Sequence, residues 1–145
     1  MMKARCVLGV AVAAVVAAAG LAWAAQGSAL NVTVNYTGPG DVDATHAIYL
    51  ALYDTPDIAG GAVPIAAQIV TANGQTAEFS GVAASPVYLS ALFDINGGWD
   101  GLSAVPSGSP AATWRPLQPT PTPIELAAGE TVDLEFSFNA AFRMP

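Results

Sequence analysis

The 145-residue sequence predicts an all-β fold, a seven- to eight-stranded antiparallel β-sandwich preceded by a signal peptide. Apolar and polar residues alternate with a period of two in the first and last strand-like segments, as in sheets with one buried and one hydrated face. Glycine and proline recur at short intervals between these segments. After residue 25, no stretch of ten residues has the periodicity of an amphipathic helix. Short strands separated by frequent turns are typical of a β-sandwich.

The N-terminus has the layout of a secretory signal peptide. Lys3 and Arg5 form a short positive segment, and residues 6–25 follow it without a charge. Ala22-Trp23-Ala24 fits the small-residue cleavage site of such peptides. An uncleaved membrane anchor formed by residues 6–25 is the alternative, since about 20 apolar residues suffice to cross a bilayer. We expect residues 1–25 to be the signal peptide, residues 26–145 a single domain, and the protein to be secreted to the periplasm or cell surface.

The charge of the mature chain excludes several classes of partner. After residue 25 there are two basic residues, Arg115 and Arg143, against eleven acidic ones, a net charge of −9 with histidine neutral. Such a chain offers no basic surface to nucleic acid and is repelled by an anionic membrane surface. The single cysteine, Cys6, lies in the predicted signal peptide, so the mature fold has no disulfide and is held together by packing.

Four segments are predicted to form the principal strands. Residues 30–36 (LNVTVNY) and 131–139 (TVDLEFSFN) alternate strictly, which predicts one buried and one wet face. Residues 47–53 (AIYLALY) and 87–93 (VYLSALF) are apolar on both faces, which predicts central strands.

The remaining segments predict a hairpin, two weak strands and two connections. Asn73-Gly74 between strand-like runs predicts a two-residue hairpin turn. Weak strands are expected near residues 112–115 and 123–126. Residues 55–64 form a connector, and residues 94–123 a long connection that ends in alternating proline and threonine. We interpret that proline-rich end as part of a crossing between sheets; a ligand for an aromatic groove is the alternative.

In order along the chain, these pieces resemble a known family. The motifs are Tyr36-Thr37-Gly38, residues 48–54 (IYLALYD), the Asn73-Gly74 turn, and residues 79–82 (FSGV), 88–94 (YLSALFD) and 124–131 (IELAAGET). They resemble the bacterial secreted domains of the carboxypeptidase regulatory-like, or prealbumin-like (transthyretin-like), β-sandwich. One departure is residues 84–87 (ASPV), where those domains usually have Pro-Gly. The resemblance implies the fold and a secreted accessory role, and it carries over no catalytic residue.

The acidic loop at residues 94–100 is a candidate calcium site. Asp94, Asn96 and Asp100 lie at relative positions 1, 3 and 7, and calcium prefers closely spaced carboxylate and amide oxygens. Further oxygens could come from the pairs Asp41 with Asp43 or Asp54 with Asp57, if those loops converge. The alternative is a solvated turn in which asparagine and glycine supply unusual backbone angles. We expect no cofactor apart from this calcium ion.

Two tryptophans in the long connection are candidate sugar-stacking residues. Trp99 adjoins the acidic loop, and Trp114 follows a weak strand. An exposed indole beside polar groups can hold a sugar ring; the alternative is that both rings cover the edge of the core.

The chemistry-bearing residues do not predict an enzyme. His46 is the only histidine, and neither Ser80, Ser85 nor Ser90 is surrounded by the sequence of a nucleophile elbow. We predict a non-catalytic structural or binding module with a protein or carbohydrate partner. The alternative is a calcium-dependent or carbohydrate-binding module that uses residues 94–100 and Trp99.

Overall fold

The computed structural model of the protein describes residues 27–114 and 121–145. Within them it contains seven strands and no helix, and so no helix long and apolar enough to cross a membrane. The strands are β1 (Ser28–Tyr36), β2 (Ile48–Tyr53), β3 (Ala66–Val70), β4 (Thr76–Val82), β5 (Tyr88–Phe93), β6 (Ala111–Thr113) and β7 (Thr131–Phe138). The predicted signal peptide and part of the proline-rich segment lie outside the described residues.

The strands form two sheets, in the orders β4-β1-β7 and β3-β2-β5-β6. Every second residue of β1 is buried, and β2 and β5 follow the same alternation. The buried sides of both sheets contribute to one hydrophobic cluster, in which the Tyr36 ring of one sheet lies 4.4 Å from the Phe93 ring of the other. The predicted all-β sandwich is confirmed, and β2 and β5 are central strands as predicted.

One strand pair differs from the antiparallel pattern. β1 pairs with β7 in parallel, from Ala29 opposite Thr131 to Tyr36 opposite Phe138, whereas the other pairs of named strands are antiparallel. A parallel pair requires a long connection between its strands, and the whole of the other sheet lies between β1 and β7 in sequence. Alternation predicts the buried face of a strand but does not predict its direction.

The predicted Asn73-Gly74 hairpin is wrong. The turn exists, with Gly74 at φ 80° and the Gln75 N–H donating to the Ala72 carbonyl (3.3 Å), but β3 and β4 belong to different sheets. The end of β1 binds the turn instead. The Tyr36 N–H donates to Asn73 Oδ1 (2.7 Å), and Asn73 Nδ2 donates to the Tyr36 carbonyl (3.0 Å). The asparagine side chain thus bonds both main-chain groups of Tyr36, and the chain crosses between sheets.

The weak strands are partly as predicted. The first is β6, and the second is reduced to an isolated bridge between Ile124 and Val87. The C-terminal segment lies along β6: the Ala111 N–H donates to the Phe142 carbonyl (3.1 Å), and the Met144 N–H donates to the Ser109 carbonyl (2.9 Å). This segment closes the edge of the four-stranded sheet at β6.

Candidate functional site

The loop after β5 is organised by a buried carboxylate. Asp94 is 1% exposed and accepts hydrogen bonds from the N–H of Gly97 at Oδ1 (3.1 Å) and from the N–H of Trp99 at Oδ2 (2.7 Å). Gly97 has φ 80°, which allows the chain to bend back over the carboxylate. By accepting hydrogen bonds from these two main-chain N–H groups, Asp94 fixes the path of the loop.

Asp100 organises the next turn in the same way. Its Oδ1 accepts hydrogen bonds from the N–H of Leu102 (2.8 Å), the N–H of Ser103 (2.8 Å) and the Ser103 hydroxyl (2.7 Å). These bonds favour the ionised form and lower the pKa of Asp100 to about 2, with the Ser103 N–H making the largest contribution.

The predicted calcium ligands point to different parts of the loop. Asn96 Nδ2 donates to the Ser107 carbonyl (3.3 Å), while Asp94 and Asp100 each bind nearby main chain. Within residues 27–114 and 121–145, no three side chains of His, Cys, Asp or Glu gather closely enough to hold a metal ion. The further acids considered for this site therefore form no such group with Asp94 and Asp100. A calcium ion here stays a prediction that needs oxygens from the main chain or from water.

Trp99 is half-buried and held in place from three sides. Its ring meets the Tyr49 ring edge to face, with centroids 4.6 Å apart and planes at 68°. Its Nε1–H donates to the Ser103 carbonyl (3.2 Å), and its own carbonyl accepts from the Tyr49 hydroxyl (2.5 Å). Burial raises the pKa of Tyr49, and the charges of Asp94 and Asp100 add to this. The indole is thus preorganised beside the four-stranded sheet.

Trp114 has a different environment. It is 8% exposed and belongs to the hydrophobic cluster, with its main-chain N–H bonded to the Leu89 carbonyl (2.9 Å) and its Nε1–H directed at the Glu135 carbonyl (3.4 Å). The ring bridges the two sheets at the core edge, which matches the alternative that it covers the core. It leaves little indole surface for stacking a sugar.

The outer side of the four-stranded sheet forms a surface that we call the aromatic face. Strand pairing places ten side chains on it: Tyr49, Ala51, Tyr53, Ala67, Ile69, Tyr88, Ser90, Leu92, Ala111 and Thr113. None of these ten is charged, and those of β2 and β5 are half-buried. Three of the four tyrosines of the sequence lie here, with Trp99 against Tyr49.

Sequence reasoning missed the aromatic face. The sequence predicts two apolar sides for β2 and β5, and this alone does not identify the outer side as a binding surface. The available signal was the alternation itself, because Tyr49, Tyr53 and Tyr88 occupy the positions opposite in phase to the buried leucines.

His46 lies in a bend just before β2, ahead of the strand predicted for residues 47–53. Its Nδ1 is 3.1 Å from Oδ1 of Asp43, and the same oxygen accepts its main-chain N–H (2.7 Å). These bonds from His46 lower the pKa of Asp43. A cavity of about 200 Å³ adjoins the pair, lined by Gly40, Asp41, Asp43, His46, Phe93 and Ile95. None of the three serines considered as nucleophiles lines this cavity.

Comparison with protein-family models, with curated proteins and with solved structures gives no match for this chain.

Proposed function

We propose that this protein is a secreted, non-catalytic β-sandwich module of the prealbumin-like type, and that its ligand binds the aromatic face. The observation that carries the proposal is the grouping of Tyr49, Tyr53, Tyr88 and Trp99 on one outer surface. Aromatic residues with a polar tip combine a large apolar contact area with hydrogen-bonding capacity, which is why they are enriched at binding surfaces.

The Trp99 ring needs little ordering to bind. Trp99 is fixed by its contact with Tyr49 and by the hydrogen bonds of its indole and main chain. A ligand that meets fixed rings avoids the entropy cost of immobilising side chains, which is about 0.5–1.5 kcal/mol for each flexible one. The loop aspartates hold the main chain around Trp99 and are not required to touch the ligand.

The charge distribution indicates a neutral ligand. The mature chain carries a net charge of −9, yet the ten outward residues of the aromatic face bear no charge. A neutral ligand suits such a surface, since the ten residues themselves offer no charged partner to an ion that would be desolvated on them. Carbohydrate is therefore the ligand class that we favour: its C–H faces stack on aromatic rings, and its hydroxyls can bond those of Tyr53, Tyr88 and Ser90.

The test is a titration of the exported protein with soluble neutral glycans, namely cello-, malto- and chito-oligosaccharides, followed by tryptophan fluorescence. We expect saturable quenching by the wild-type protein and an affinity at least tenfold weaker in Trp99→Ala and Tyr88→Ala. Thr33→Ala, on the outer side of the other sheet, is the matched control and should bind like wild type. Quenching that these aromatic variants leave intact would overturn the assignment to this face, and no binding by any glycan would overturn carbohydrate.

The calcium-dependent alternative has a separate test. Binding to the folded state raises the melting temperature by linkage. If the loop at residues 94–100 holds calcium, the protein melts higher in millimolar Ca²⁺ than in EDTA, and Asn96→Ala reduces the difference. Equal melting temperatures would overturn this site. Secretion itself is tested by N-terminal sequencing of the exported protein, which should begin near residue 25 or 26.

A further inference from the structure

Three of the four sheet edges in the described part of the chain are protected against pairing with another strand. β4 carries Glu78, β7 carries Asp133 and Glu135, and the C-terminal segment lies along β6. Charges and covering segments are the devices by which natural sheets block edge-to-edge pairing. β3 has neither: its sequence is AAQIV, and β2 is its one partner strand among the described residues.

The hydrogen-bond alternation shows which main-chain groups of β3 are free. In antiparallel sheets, successive residues of a strand bond to opposite sides. Ala47 lies opposite Asp94 in the register of β2 with β5, and the Asp94 N–H donates to the Ala47 carbonyl. The odd-numbered residues of β2 therefore bond to β5, and the even-numbered ones bond to β3. The partners of those even residues are Ala66, Gln68 and Val70. It follows that the N–H and C=O groups of Ala67 and Ile69 point away from the sheet.

The side chains along this edge are also available. Ile69 is 53% exposed on the aromatic-face side, and Gln68 is exposed on the opposite side. Val63 and Ile65, just before the strand, are 80% and 44% exposed. Residues 58–77 contain no charge at all, although the mature chain is strongly acidic. The β3 edge is thus an uncharged, apolar strip with two residues' main-chain groups free to bond.

We propose that the β3 edge binds an extended segment of a partner protein, which adds a fifth strand to the four-stranded sheet. Main-chain hydrogen bonds to Ala67 and Ile69 supply the pairing, and alternate side chains of the partner lie beside Ile69 on one side and Gln68 on the other. The β3 edge adjoins the aromatic face and shares Ala67 and Ile69 with it, but it uses their outward main-chain groups and not the tyrosine rings, so the inference goes beyond the proposed function and does not depend on it.

A second copy of this chain fits the edge poorly. A five-residue strand is about 17 Å long, and two such strands paired edge to edge bury far less than the roughly 1,600 Å² of a stable interface. Two copies also bring together two strongly negative chains.

The charges near the edge indicate the flanks of the partner strand. The chain leaves β2 beside the Ala66 end of β3, where the Ile65 N–H donates to the Leu52 carbonyl (2.8 Å), and it then carries Asp54 and Asp57. A partner with apolar and β-branched residues in the centre and lysine or arginine at its end would complement this arrangement.

The test uses the full exported chain and a labelled octapeptide of alternating threonine and valine with lysine at both ends, followed by fluorescence anisotropy. We expect saturable binding below ~1 mM peptide, a concentration that corresponds to weak but specific association. Ala67→Pro removes the outward N–H without touching the bonds to β2 and should weaken binding at least tenfold. Ile69→Lys should weaken it as well, and a peptide with glutamate ends should bind less tightly than the lysine form.

Two controls keep the result interpretable. Leu102→Lys adds the same charge at a 92%-exposed leucine elsewhere and should leave peptide binding unchanged. Tyr88→Ala should lose glycan binding only, which separates this inference from the proposed function. Amide hydrogen exchange of the wild-type protein provides a second readout that does not depend on the folding of any variant. The amides of Ala67 and Ile69 should exchange freely in the unbound protein and more slowly with peptide.

Several outcomes would overturn the proposal. They are the absence of saturable binding by the wild-type protein, equal binding by Ala67→Pro, and amides of Ala67 and Ile69 that are already protected without peptide. Concentration-dependent dimerisation in sedimentation, abolished by Ala67→Pro, would show that a second copy occupies the edge instead.

Discussion

The two sheets of this sandwich have the same alternation of buried and outward residues but very different outer sides. On the three-stranded sheet the outward residues are polar and acidic: Asn31 donates to Asp133 (3.0 Å), and the hydroxyls of Thr33 and Thr76 are 2.8 Å apart. On the four-stranded sheet the outward residues are tyrosine, alanine, serine, leucine, isoleucine and threonine. A period of two decides which residues face outward, and their chemistry decides whether water or a ligand meets them.

The difference has an energetic meaning. Cross-strand polar pairs such as Thr33 with Thr76 contribute roughly 0.2–1 kcal/mol each and leave the surface hydrated. The aromatic face leaves apolar area in contact with water that burial would remove at about 25 cal/mol per Å². The polar side is thus well suited to contact with water, whereas covering the aromatic side lowers the free energy of the system.

The largest expected effect tests whether both sheets share one core. Phe79→Ala, in β4, and Phe93→Ala, in β5, should each lower the free energy of unfolding by about 3–5 kcal/mol, as for other buried phenylalanines. Urea unfolding followed by circular dichroism should stay a single transition in both variants. Two separate transitions, one for each sheet, would contradict a common core and would make the two sides independent units.

The next effect concerns the link between the sheets. Asn73→Ala removes both hydrogen bonds to the main chain of Tyr36 and leaves that N–H without its partner, so we expect a loss of about 1–3 kcal/mol. Asn96→Ala, which removes one exposed hydrogen bond, is the control and should cost under about 0.5 kcal/mol. Equal losses in chemical denaturation would show that the Asn73 contacts do not hold the crossing.

A smaller effect tests how firmly the aromatic face is organised. Tyr49→Phe deletes the hydroxyl that donates to the Trp99 carbonyl and should cost about 1 kcal/mol. The Trp99 emission should shift to longer wavelength as the loop loosens. Tyr53→Phe alters the same face without touching Trp99 and should leave the emission where it is; a matching shift in both variants would rule out a specific Tyr49 contact.

The smallest effect is a pH dependence in the Trp99 loop. The pKa of Asp100 is lowered to about 2 in the folded state, so its hydrogen bonds add stability above the ordinary carboxyl pKa near 4 and lose it as the pH falls towards 2. Thermal melts of wild type between pH 5 and pH 2 should therefore decline more steeply than those of Asp100→Asn. Parallel declines would show that the Asp100 carboxylate does not stabilise the loop.

The sequence predicted the fold to the extent that local patterns determine it. The alternation in β1 and the doubly apolar runs of β2 and β5 gave their burial and central position correctly. The Asn73-Gly74 turn gave the reversal of the chain but not the sheet that each arm joins, because that depends on contacts with Tyr36 far away in sequence. The parallel direction of β7 likewise depends on its pairing with the distant strand β1 and not on local sequence.

Of the candidate site, the sequence singled out the loop residues Asp94, Trp99 and Asp100 but not the aromatic face beside them. Asp94 and Asp100 were singled out as ligands, yet both accept hydrogen bonds from main-chain groups two to five residues ahead. Aspartate before glycine-rich turns commonly does this, so the local alternative was available from sequence. The alternation shows that Tyr49, Tyr53 and Tyr88 face outward, but their grouping on one surface depends on β2 and β5 being neighbours, which no local pattern reveals.

The parallel pairing of β1 with β7 has a consequence for how the protein acquires its structure. Asn31 and Asp133, which bond across this pair, are separated by 102 positions. The central strand β1 of the three-stranded sheet therefore cannot complete its pairing until β7 has been synthesised. Distant pairings of this kind slow folding, because the entropy cost of closing a long loop comes before any stabilising contact between the strands forms. A nascent chain lacking its final segment would keep β1 half-paired and open to premature association.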